Sequence, residues 1–80
     1  MYTASKVAAI LNAKGIKATV ECEMTDVADG CVHLDGCCHV QVNDNYLCLV
    51  KCLMNHHYVW LLEDATIEMI VARIKSELKL

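Results

Sequence analysis

Residues Ile16 to Met24 alternate without interruption. Ile16, Ala18, Val20, Cys22 and Met24 fall on one parity, and Lys17, Thr19, Glu21 and Glu23 on the other. Successive side chains leave a strand on opposite sides, so this run reads as a strand with one covered face and one wet face. A chain holding such a strand must build a sheet around it and something to cover that sheet.

The rest of the sheet follows from turn chemistry. The segment Thr25 to Gly30 (T-D-V-A-D-G) is a loop by composition. Asp35-Gly36 lies between Cys31–Leu34 and Cys37–Val42 and suits a two-residue type I′ hairpin. That turn pairs Leu34 with Cys37, placing Val40 opposite Cys31 and Cys38 opposite His33. Asn43-Asp44-Asn45 separates the next strand, Tyr46–Leu53, and a two-residue turn at Asn43-Asp44 or Asp44-Asn45 puts Val40 and Val42 on the face of Leu47 and Leu49. A third turn over Met54–His57, with Asn55-His56 as its loop, leads into Tyr58–Leu62. It groups Leu49, Leu53, Tyr58, Trp60 and Leu62 on the core face.

Two helical patterns bracket these strands. In Tyr2–Lys14, Ala4, Val7, Ala8, Ile10 and Leu11 form an apolar stripe, Thr3 or Ser5 can cap the start, and Gly15 can end the helix. Between Ala65 and Lys79, Ile67, Ile70, Val71, Ile74 and Leu78 form a second stripe, with Asp64 as the expected cap. Arg73, Lys75 and Lys79 suit the negative end of its dipole. The expected fold is α+β in two layers: a mostly antiparallel meander of four to five strands with a helix at each end, order α-β-β-β-β-β-α, forming one domain over residues 1–80.

At 80 residues, such a chain hides only ~60% of its extended surface, enough for one core. Apolar residues make up 56%, more than one small core readily uses. The excess has an address. Leu47, Leu49 and Leu53 occupy one parity of the fourth strand, yet Tyr46, Cys48, Val50 and Cys52 occupy the other, and Val59 and Leu61 are expected beside them. Two helices of this length do not easily cover both faces of the sheet, one helix on each face of a monomer being the alternative arrangement, and monomers rarely expose apolar areas beyond a few hundred Å². The expected function is therefore a non-enzymatic interaction module, pairing with a copy of itself or with another protein through Tyr46, Cys48, Val50, Cys52, Val59 and Leu61.

Other chemistries fare worse. From Ala18 to Val50 there are six acids and no Lys or Arg within a net charge of −3, a balance that repels phosphate and argues against nucleic acid. No run approaches the ~18 apolar residues of a membrane span, and no export signal is visible, so a cytoplasmic location and six reduced, free cysteines are expected. The alternative function is a Cys/His metal or thiol site on the Cys31–His39 hairpin, with Cys31, His33 and Cys38 as candidate ligands. The spacing lacks a C-x-x-C knuckle, and the acidic surroundings should raise a thiol pKa rather than activate Cys37 or Cys38 beside His33 or His39. Glu21, Glu23, Asp26 and Asp29 do not follow the calcium-loop pattern, and His56-His57 reads as a turn. No catalytic residue and no cofactor is expected.

Overall fold

A computed structural model describes residues 2–53 and 57–78, the side chain of Leu78 excepted. The elements run α1 (Ala4–Ala13), β1 (Ala18–Cys22), β2 (Gly30–Leu34), β3 (Cys38–Val42), β4 (Leu47–Cys52), β5 (Tyr58–Ala65) and α2 (Ile67–Leu78). The strands form one antiparallel sheet in chain order, the meander expected from the turn signals.

Helix α1 starts where Thr3 Oγ1 accepts the Lys6 N–H at 3.1 Å. Its first turn has a second anchor. The Glu23 carboxylate accepts the Ala4 N–H at 2.7 Å and the Ser5 N–H at 3.0 Å, satisfying donors that a helix leaves free. Gly15 ends the helix with a φ of 84°. Ala4, Val7, Ala8 and Leu11 are buried as the stripe requires, whereas Ile10 is exposed. At the far end Asn12 clamps the open edge of β1, donating to the Ala18 carbonyl at 2.9 Å and accepting the Ala18 N–H at 3.0 Å. Edge strands left unpaired invite foreign strands, and this side chain occupies that position.

Helix α2 is capped by Thr66, not Asp64: Thr66 Oγ1 accepts the Met69 N–H at 3.2 Å. Asp64 instead lies in β5 in the left-handed region, with φ 49°. Ile70 and Ile74 are buried, and Ile67 and Val71 pack against the core at its margin. Lys79, the Leu78 side chain and residues 54–56 of the third turn lie outside the described residues.

Both helices cover the same side of the sheet. One cluster joins Val7 and Leu11 of α1, Ile70 and Ile74 of α2, and Val32, Val40 and Leu49 between them. Lys51, on the same parity as Leu49, meets Glu77 of α2 at 3.7 Å. The smallest extent of the molecule is 20 Å, the thickness of one sheet and one helix layer at about 10 Å each.

Three registers differ from the sequence reading. The β2–β3 turn places its left-handed pair at Gly36 (φ 76°) and Cys37 (φ 63°), one residue later than Asp35-Gly36. His33 therefore faces His39 and Val32 faces Val40, instead of Cys38 facing His33 and Val40 facing Cys31. Left-handed backbone at a residue with a Cβ costs roughly 1–2 kcal/mol. In exchange Val32 and Leu34 share the covered side with Val40 and Val42, and burying each such side chain is worth about 1.5–3 kcal/mol. The packing wins.

On β1 the register shifts between Val20 and Cys22, so Cys22 faces Cys31 and leaves the parity of Ala18 and Val20. On β5 two irregularities, either side of Leu49 in the β4 partner, insert extra residues, and Trp60 faces Val50 while Tyr58 faces Cys52. Tyr58 and Trp60 thus stand on the side away from the helices, against the expectation of a core position. Val59, facing Lys51, lies on the helix side, and Leu61 packs against the core. Leu53, expected in the core, is exposed. The β3–β4 register holds as expected, with Val42 opposite Leu47 and Val40 opposite Leu49 across a turn at Asp44-Asn45.

Candidate functional site: the uncovered sheet face

The face opposite the helices is built from alternate residues of every strand. In register across its middle run His33, His39, Val50 and Trp60, one from each of β2 to β5. Beside them run Cys31, Gln41 and Cys48, each directly opposite the next. Among the described residues no helix or strand packs over this surface.

Its apolar centre is nonetheless shielded. Val50 is 2% exposed and Cys48 5%, because flanking side chains lean over them. The His39 and Tyr58 rings meet edge-on across β4, with centroids 5.9 Å apart and planes at 77°. The indole of Trp60, directly opposite Val50, is half exposed, and Tyr58 is 58% exposed. Tyr46, Cys48 and Trp60 line a shallow apolar hollow whose rim is Glu63 and Asp64. Large aromatic rings thus carry the water-facing surface while small apolar groups fill in beneath.

Of the residues singled out by sequence, the fold gathers Tyr46, Cys48, Val50 and Cys52 on this face and sends Val59 and Leu61 to the other. The aromatic residues Tyr58 and Trp60 take their place. The expected Asn55-His56 loop pairs Leu53 with Tyr58 and turns both rings to the core, whereas the β4–β5 register is one residue different, with Tyr58 opposite Cys52 and Trp60 opposite Val50. The β5 irregularities leave no trace in the sequence.

The Cys/His hairpin is divided between faces. Cys31 and His33 lie on the uncovered side, whereas Cys38 is buried in the core cluster. Among the described residues no three His, Cys, Asp or Glu side chains are grouped so as to hold a metal ion. Cys31 and Cys38 are held as thiols. Burial, followed by the adjacent Glu21 carboxylate, pushes the Cys31 thiol up to about 12, and burial raises Cys38 despite Lys51 nearby. Burial also lowers the pKa of His39, against an opposing pull from Glu21, so its ring favours the neutral form.

The acidic residues do not converge either. Glu23 serves the α1 N-terminus, and Asp29 accepts from Gln41 at 2.7 Å and from Asn43 at 2.9 Å, tying the Thr25–Gly30 loop to β3. Glu21 accepts the Cys31 S–H at 3.3 Å. No helix among the described residues is long and apolar enough to cross a membrane. Comparisons with protein-family models, with curated proteins and with solved structures return no match.

Proposed function

We propose that the protein is a non-enzymatic self-association module whose uncovered sheet face packs against the same face of a second copy. The carrying observation is the placement of both helices on one side, which leaves Tyr58 and Trp60 half exposed above the buried Val50. A water-facing surface rarely concentrates its largest apolar rings over small buried ones, and aromatic anchors around a dry centre are the anatomy of interface hot spots.

A second copy suits this surface for two reasons. Its central residues, Cys31, His33, His39, Gln41, Val50 and Trp60, include no Asp, Glu, Lys or Arg, and the acids sit toward the margins, Glu21 in the edge strand β1 and Glu63 and Asp64 at the end of β5. A two-fold contact between such faces brings no like charges together at its centre. The dimensions also fit. A plate of five strands at ~4.8 Å spacing, with five or so residues at ~3.3 Å, is roughly 24 by 17 Å before side-chain relief. That is about 400 Å² in projection, so with side-chain relief a pair of such faces sits at the small end of specific interfaces. Two sheets face to face at about 10 Å make a four-layer α/β/β/α dimer.

Trp60 is the sole tryptophan, so its emission reports on this face alone. Raising the protein concentration is expected to shift Trp60 emission to the blue and to reduce acrylamide quenching as the indole leaves water. Emission and quenching that stay constant over a thousand-fold concentration range would contradict the reading. A blue shift appearing only on addition of a basic protein or peptide would replace the second copy with a partner of that charge.

A further inference from the structure

Four of the six cysteines stand in two neighbouring pairs at the uncovered face, one across two strands and one between a strand and a turn. Cys22 of β1 is directly opposite Cys31 of β2. At the other end of the hairpin, Cys52 of β4 donates its N–H to the Cys37 carbonyl at 2.8 Å, continuing the register in which Cys38 faces Lys51. Cys22, Cys31, Cys37 and Cys52 all line one shallow surface depression with His33 and Tyr58. Residues directly opposite in antiparallel strands, as Cys22 and Cys31 are, have Cα atoms about 4.5–5.5 Å apart, inside the ~4.4–6.8 Å that a disulfide spans, and the 2.8 Å backbone bond holds Cys52 beside Cys37. All four are free thiols. The remaining two, Cys38 and Cys48, are buried on opposite faces of the sheet.

The geometry points to a modification site: two reversible dithiols, Cys22–Cys31 and Cys37–Cys52, that close into intramolecular disulfides when the protein meets a hydroperoxide. This inference concerns the single chain and does not rest on the association proposed above. Each pair joins one exposed cysteine, Cys22 or Cys37, to one half-buried partner, Cys31 or Cys52, and that asymmetry orders the chemistry. The exposed sulfur, as its thiolate, attacks the peroxide. The O–O bond breaks, a sulfenic acid forms, and the alcohol or water leaves. The half-buried sulfur then attacks the sulfenic sulfur, its S–O bond breaks, and water departs with the hydroxyl and the second thiol's proton. Two thiols lose two electrons in all and the peroxide gains them.

The surroundings of Cys31 fit the second role. Burial and the Glu21 carboxylate keep it protonated, which makes it a poor first nucleophile, and Glu21, already accepting its S–H, is placed to pass that proton on to the departing hydroxyl when the S–S bond forms. Closing Cys22–Cys31 fastens the edge strand across its register shift, and closing Cys37–Cys52 fastens β3 to β4 beside the left-handed turn.

The test treats the reduced, folded protein with hydrogen peroxide, then denatures, alkylates and maps it. The expected result is loss of four hydrogen atoms from the intact mass, alkylation of Cys38 and Cys48 alone, and linked peptides joining Cys22 to Cys31 and Cys37 to Cys52, all reversed by dithiothreitol. Cys22→Ser is expected to retain only the Cys37–Cys52 link, and Cys37→Ser only the Cys22–Cys31 link. A urea-unfolded sample should give mixed pairings, which makes selectivity the readout of the folded geometry. Six alkylatable thiols after peroxide, sulfinic or sulfonic products without links, links between chains, or the same mixed pairings from folded protein would each overturn the inference.

Discussion

Val50 and Trp60 face each other across β4 and β5 on the side of the sheet that no helix covers, the valine buried and the indole half in water. The same strand sends Leu49, its neighbour in sequence, into the core under both helices. One strand therefore borders two different environments. The buried face is sealed within the chain, and the other carries apolar groups beyond what the chain's own elements enclose.

These two environments should respond differently to truncation. Leu49→Ala removes a fully buried side chain and is expected to destabilise the monomer by about 2–5 kcal/mol, the range for such cavities. Trp60→Ala is expected to cost the monomer less than ~1 kcal/mol, since half of the ring is already in water. Urea denaturation at low protein concentration measures both, and a Trp60→Ala loss as large as that of Leu49→Ala would place the indole in the core.

Glu23 links the edge strand to the α1 N-terminus, and acid should undo it. The Ser5 hydroxyl, followed by the Ala4 and Met24 amides, holds its pKa at about 2 against an ordinary 4.5. A depressed folded pKa favours the native state while the group is ionised, so this contribution is complete above the ordinary value and is lost as pH falls through the folded one. Thermal melts of the wild type should decline between about pH 4.5 and pH 2. Glu23→Gln should lower Tm near neutrality and flatten that decline. An unchanged pH profile in the variant would remove Glu23 from this role.

Gly30 lets α1 approach the sheet. A Cβ placed there would lie 3.1 Å from Met24 Cγ, 3.1 Å from the Met24 nitrogen and 3.2 Å from Ala4 Cβ. The methionine side chain can yield, but the backbone nitrogen and helix cannot without moving. Gly30→Ala is expected to destabilise by roughly 1–3 kcal/mol, as overpacking does. Equal or greater stability by urea denaturation would mean that α1 sits further from β2.

The element order, both helices and the β3–β4 register were legible because each rests on a local signal: helical spacing, a capping residue, or a turn whose alternatives agree in parity. The orientation of the uncovered face was less so. Asp35-Gly36 is the stronger turn dipeptide, yet the chain turns through three residues, Asp35 to Cys37, with Gly36 and Cys37 left-handed. Only the longer-range match of Val32 and Leu34 with Val40 and Val42 reveals why. The extra residues in β5 are set by how Leu61 and Leu62 both reach the core while Trp60 stays outside, which no short sequence pattern encodes. The pairing of Cys22 with Cys31 likewise depends on a register shift within β1.

Sedimentation equilibrium across a wide concentration range distinguishes a self-associating chain from a monomer. The expected result is a reversible transition from the 8.9 kDa chain to a species of twice that mass, with Trp60→Glu held at the monomer while its circular dichroism remains native. A wild-type chain that sediments as an 8.9 kDa monomer at every concentration would contradict it.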